Sequence, residues 1–142
     1  LDKYYQLTKK AENRLIDYDL IKSLIREKKE LQTTILVYQG EEIIPISSNN
    51  IALVGLEDGK VYLQSLNGKH YHVNQNIEQL AAILGSNFYR LNRQFIINRQ
   101  CVDRVSYHFD RKLIAHPTFV FKEKLFVSKA KSREFLTWLE SN

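Results

Sequence analysis

Two dipeptides constrain this chain most: Asp58-Gly59 and Asn67-Gly68, each set between apolar runs rich in β-branched and aromatic residues. Asp-Gly and Asn-Gly readily take the positive φ angles that two-residue hairpin turns demand, and those turns match the twist of the strands they join. Ile51 to Leu56, Val61 to Leu66 and Lys69 to Val73 therefore read as a three-strand meander. Upstream, Ile35 to Tyr38, a turn at Gly40 and Ile43 to Ile46 read as a further hairpin. Pro45 lacks a backbone donor and argues for an edge position. Ser47 to Asn50 is a turn cluster.

Past the meander, Asn76 and Gln79 have the spacing of a capping box, in which each side chain satisfies a backbone donor of the other. Ile77, Leu80, Ala81 and Leu84 fall on one face and Gly85 closes the turn, which predicts a short helix covering the sheet. Val102, Val105, Tyr107 and Phe109 follow on an interrupted alternation, with a turn at Asp110-Arg111 and a return through Leu113 to Ala115. Thr118 to Phe121 and Leu125 to Val127 are expected to be the last two strands, separated by the charged turn Lys122-Glu123-Lys124. Ser128 is placed as the N-cap of a final helix carrying Phe135, Leu136 and Leu139, with Trp138 as a large apolar anchor.

The beginning of the chain has a different period. Tyr4, Leu7, Ala11, Tyr18, Ile21 and Ile25 recur at helical intervals with no Gly or Pro between them. One amphipathic helix is expected, or two broken near Asp17 to Asp19. It packs on its own domain or remains a solvated linker, or else serves as a dimerising helix; Arg14 and Lys28 on the same stripe argue against an extended coiled coil. The expected organisation is a helical segment over residues 1–34 and a mainly β domain over 35–142. Beginning at Leu1 and lacking methionine, the sequence reads as a piece of a longer chain.

Composition narrows the function. No apolar run approaches the ~18 residues that cross a bilayer, and no signal-like segment opens the chain, so no membrane association is expected. The lone Cys101 cannot form an internal disulfide; it reads as a small buried filler in a cytoplasmic protein rather than a redox centre. His70 and His72 lie on the same face of a strand and could share a metal, but no carboxylate or cysteine nearby completes a site. No phosphate-binding glycine loop, nucleophile elbow or metalloprotease motif occurs. The expectation is a protein that is not an enzyme and takes no cofactor.

Charge then points to a partner. The chain carries +5 overall, but from Phe88 to Arg133 eleven basic residues face only Asp103, Asp110 and Glu123, a local +8 that leaves −3 for the rest. One-sided basicity of this kind is the footprint expected for a polyanion. Within that segment, Phe88-Tyr89-Arg90-Leu91-Asn92-Arg93-Gln94-Phe95-Ile96-Ile97-Asn98 reads as strand, loop, strand. The loop exposes a guanidinium between two amides, groups able to match guanine or phosphate and adenine.

This run resembles the signature of the LytTR DNA-binding domain, roughly Phe-x-Arg-apolar-His-Arg-Ser-aromatic-apolar-apolar-Asn. Phe88, Arg90, Arg93, Phe95 and Asn98 match it, while Asn92 stands where His is common and Gln94 where Ser is common. Both replacements keep hydrogen-bonding capacity and bear on which base is preferred. The resemblance spans roughly residues 35 to 140 and implies a domain of short antiparallel sheets and hairpins with one covering helix and a C-terminal helix. It implies sequence-specific binding of double-stranded promoter DNA, two copies on paired sites, as a homodimer. It also implies an upstream receiver domain answering to a sensor histidine kinase, making this the output half of a bacterial response regulator.

On this basis Arg93, Asn92 and Gln94 are the expected base readers. The tip of the first meander hairpin adds Lys60 by its place in the family's pattern, although a lone exposed lysine there also reads as a solvated turn residue. Arg99, Lys129, Lys131 and Arg133 are the expected phosphate contacts. The last three crowd the start of the final helix, where positive charge opposes the helix dipole and an anion would relieve it. Ser128 and Lys129 also match the serine and basic residue that end the family's last strand. Two other readings compete: a β-rich interaction module whose basic face binds an acidic partner, and a single-strand or RNA binder stacking bases on Tyr89, Phe95 or Tyr107.

Overall fold

A computed structural model describes residues 33–141. The helix expected over residues 1–34 thus lies outside the described residues except at its end, where Thr34 already begins the first strand. Among the described residues, ten strands form two antiparallel sheets. In chain order they are β1 (Thr34–Gln39), β2 (Glu42–Ser47), β3 (Ile51–Glu57), β4 (Lys60–Ser65), β5 (His70–His72), β6 (Phe88–Arg90), β7 (Phe95–Asn98), β8 (Val102–Tyr107), β9 (Leu113–Pro117) and β10 (Leu125–Val127). Helix α1 (Ile77–Leu84) separates β5 from β6, and helix α2 (Ser132–Ser141) ends the described chain.

The larger sheet has the order β2-β1-β5-β4-β3-β7-β6 and the smaller the order β10-β9-β8. Pro45 sits on edge strand β2, where its missing N–H breaks no inner ladder. Asp58 and Gly59 both take positive φ, 53° and 75°, and close β3 onto β4 as the dipeptide predicts. At Gly55 the ring of Tyr62 on the paired strand lies where a Cβ would stand, so only glycine admits it there.

The continuous apolar run of β3 marks a strand buried on both faces. Val54 joins a core with Ile35, Val37, Leu63, Leu80 and Phe88 beneath α1. Leu53 faces the opposite core with Leu91, Phe95, Ile97, Leu113, Val127 and Phe135, covered by the small sheet and α2. Helix α1 carries the full reciprocal capping box between Asn76 and Gln79 and buries Ile77, Leu80 and Leu84.

Three local expectations are corrected. Thr118 to Phe121 is not a strand: it follows the central strand β9, whose two neighbours are β8 and β10, and pairs with no strand among the described residues. It uses its alternation as a cover instead, with Phe119 and Phe121 packed on the second core and Val120 in solvent. The hydroxyl of Ser128 caps nothing; a 3-10 turn over Lys129–Lys131 intervenes and α2 begins at Ser132. Phe135 is fully buried on α2, whereas Leu136 is exposed.

Candidate nucleic-acid interface

The 91–94 loop is held by the residues that surround it. Leu91 is fully buried; its N–H donates to the Phe95 carbonyl, and its carbonyl accepts from the Ser128 N–H at 3.0 Å. Arg90 folds back beneath the loop: Nε donates to the Asn92 carbonyl at 3.1 Å and Nη2 to the Arg93 carbonyl at 3.2 Å. Its Nη2 also lies 3.4 Å from a Glu78 carboxylate oxygen on α1. The Leu56 N–H of β3 donates to the Gln94 carbonyl at 2.9 Å, tying the loop to the central sheet.

Asn92 is placed differently from the expectation. Its Oδ1 accepts from the N–H groups of Gln94 at 2.7 Å and Phe95 at 3.1 Å, while Nδ2 donates to the Phe126 carbonyl at 2.6 Å. Both ends of the amide shape the turn and join it to β10, the local side chain-to-backbone bonding at which Asn excels. Asn92→Ala is accordingly expected to destabilise the domain by about 1–2 kcal/mol, read from the urea midpoint. An unchanged midpoint with altered base preference would make Asn92 a base contact instead. Arg93 and Gln94 are exposed, and neither side chain has a polar partner among the described residues.

Asn98 closes the same hairpin. Buried at 3% exposure, it donates from Nδ2 to the Ile51 carbonyl and accepts at Oδ1 from the Gln100 N–H. Phe88 and Phe95 fill the two cores. Of the signature positions, therefore, Phe88, Arg90, Asn92, Phe95 and Asn98 build the hairpin, and Arg93 is presented by it.

Other loops gather at this end of the domain. A groove of about 770 Å³ runs between Gly59 on the β3–β4 tip, Arg90, Arg93 and Lys131, floored by Leu56, Val61 and Ile77. Lys60 is exposed on that tip and faces the neighbouring recess toward His72 and Asn76. Lys131 Nζ lies 3.4 Å from the Arg90 carbonyl, so its ammonium stands beside the 91–94 loop. Lys129 and Arg133 are exposed on the 3-10 turn and the first turn of α2.

Arg99 is the exception. It follows the far end of β7, about 13 Å from the loop for a strand of this length, and its Nη2 donates to the Leu139 carbonyl at 2.9 Å. A cation at a helix C-terminus satisfies an orphan carbonyl and suits the dipole. The structure thus does not bring Arg99 together with Lys129, Lys131 and Arg133, which lie at the opposite end of α2.

Sequence reasoning missed Glu78 as a partner of Arg90; its place in the first turn of α1 was the available signal. Away from the groove, His70 bonds Gln64 and stacks on Tyr62, whose phenol burial and the nearby Glu123 and Glu57 carboxylates push up to about 12. Tyr89, wedged against Phe135 and Trp138, is likewise held protonated by burial and its hydrogen bond to Glu134. Burial pushes the Cys101 thiol upward, away from the reactive thiolate.

The profile of the LytTr DNA-binding domain matches residues 41–140. Among solved structures, the LytTr DNA-binding domain of a Bacillus cereus protein described as a methyl-accepting/DNA response regulator superposes with a TM-score of 0.66 at 16% identity, covering 75% of this chain and 96% of that one. No curated protein matches the sequence. At that identity the superposition establishes the fold, while the profile covers the hairpin whose signature residues have just been placed. This chain belongs to the LytTR DNA-binding domain family.

Proposed function

We propose that residues 35–142 bind double-stranded promoter DNA sequence-specifically and act as the transcriptional output half of a cytoplasmic two-component response regulator. The observation that carries this reading is the division of labour in the 88–98 hairpin: the surrounding side chains immobilise a loop from which Arg93 and Gln94 project with no polar partner among the described residues. Arg93 is assigned to a guanine edge, where a guanidinium can donate two parallel bonds, and Gln94 to the adjacent base; Lys60 reaches toward a neighbouring groove edge. Asn92 acts by fixing the loop. Lys129, Lys131 and Arg133 hold phosphates, which set register without reading sequence, and Arg99 supports α2 from its other end.

Two copies on paired sites would place two such loops on one face of the duplex. The segment over residues 1–34 then serves as the linker to a receiver domain controlled by a histidine kinase. Selection of bound sequences from a random duplex library at about 150 mM salt, where weak polyelectrolyte attraction is largely screened, tests the reading. A repeated enriched motif supports it. Absence of any enrichment would leave a basic protein-interaction face.

Lys131→Ala is expected to weaken binding uniformly across sequences and to flatten the plot of log affinity against log salt by about one unit. A changed base preference would show that Lys131 reads sequence instead.

A further inference from the structure

The β8–β9 hairpin tip belongs to none of the loops assigned above, yet its register carries it to the same end of the domain. Tyr107 pairs with Leu113 on one side and Val127 with Leu113 on the other, so the tip at residues 108–112 lies level with Ser128. The His108 N–H donates to the Lys112 carbonyl at 2.7 Å and closes the tip. Phe126 then joins it to the reading loop. The His108 ring packs edge-on against Phe126 at 5.4 Å and Lys112 Nζ sits 5.7 Å from the Phe126 ring centre, while the Phe126 carbonyl holds the Asn92 amide.

What the tip displays is unusual for a turn that only connects strands. Phe109 is 82% exposed and Tyr107 72%, although both continue an apolar alternation. Asp110 and Arg111 each have φ of 62°. Asp tolerates this left-handed region, whereas Arg is strained there and glycine would suit the turn better. Such strain tends to persist where the side chain is wanted for function. Arg111 and Lys112 are exposed, and the chain beside them from Lys124 to Arg133 contains no acidic residue.

We infer that the β8–β9 tip is an additional DNA-contacting element, in which Arg111 and Lys112 grip backbone phosphates flanking the bases faced by Arg93 and Phe109 packs against the adjoining sugars. This rests on the DNA-binding reading above. Basic groups around a projecting aromatic suit a duplex backbone, where phosphates alternate with apolar sugar edges; an acidic protein surface offers no such alternation.

The test uses the whole chain on its own selected duplex. Arg111→Gly removes a cation and also relieves the left-handed strain, so thermal stability is expected to hold or rise while DNA affinity falls. For Arg111→Gly with Lys112→Ala the salt slope should drop by about two units, each lost contact removing roughly 3.5-fold of the affinity change between 50 and 200 mM salt. Hydroxyl-radical protection should shorten on one flank with the preferred sequence unchanged. An unaltered slope and footprint in a variant that melts like the parent would overturn the inference and leave the DNA reading intact. The inference also fails if Phe109→Ala alters self-association of the free protein and leaves DNA binding as it was, since the tip would then be a contact between protein copies. A parent protein that enriches no sequence and shows no salt dependence would instead remove the DNA reading itself.

Discussion

Arg93→Ala should lose about 1–3 kcal/mol at a single base position of the selected site, a roughly 5- to 150-fold fall in affinity, while binding to sites already mismatched there changes little. The reason is geometric. The Arg93 backbone is fixed by Arg90 Nη2 on its carbonyl, and its side chain has no competing partner among the described residues. Truncation should therefore remove a contact without disturbing the fold. Affinities of parent and variant for a panel of singly substituted duplexes check this. Equal weakening across the panel would demote Arg93 to a phosphate contact.

The largest effect on stability is expected at Phe135. Its side chain is fully buried on α2, 5.4 Å from the Tyr89 ring and 5.8 Å from Trp138. Phe135→Ala should destabilise by about 3–5 kcal/mol through lost burial and the cavity left behind, a large share of the roughly 5–15 kcal/mol that holds a typical domain together. The denaturant midpoint should fall with an unchanged slope. A loss below about 1 kcal/mol would mean that the site collapses to fill the void. Because Lys131 and Arg133 are placed by the start of the same helix, DNA affinity should fall too, more steeply with temperature than in the parent.

Much of the fold was legible because its signals are local. Asp58-Gly59 and the Asn76/Gln79 box act over two to four residues, and Pro45 advertises an edge wherever it occurs. The failures came where a residue's type is compatible with two jobs and a distant partner decides. An asparagine in a polar loop can face a base or cap its own turn; the Phe126 carbonyl that engages Asn92 is 34 residues away. A basic residue after the signature can bind a phosphate or a helix end, and the Leu139 carbonyl that takes Arg99 is 40 residues away. Thr118 to Phe121 had the alternation of a strand, but alternation reports two unlike faces and not a free neighbour to pair with. Tyr107 and Phe109 likewise alternated as if toward a core, and their exposure became visible only once the register of β8 and β9 was known.

Strands β3 and β7 are enclosed by apolar cores on both faces, and the loop that presents Arg93 leads directly into β7. Local opening is least favoured in such doubly covered strands. The 91–94 loop is therefore anchored at the most rigid part of the domain. Little conformational freedom remains for it to lose on meeting a duplex, so less of each contact's free energy is offset by ordering. Discrimination between bases would then arise from fit to a preformed shape more than from a loop that rearranges around each sequence.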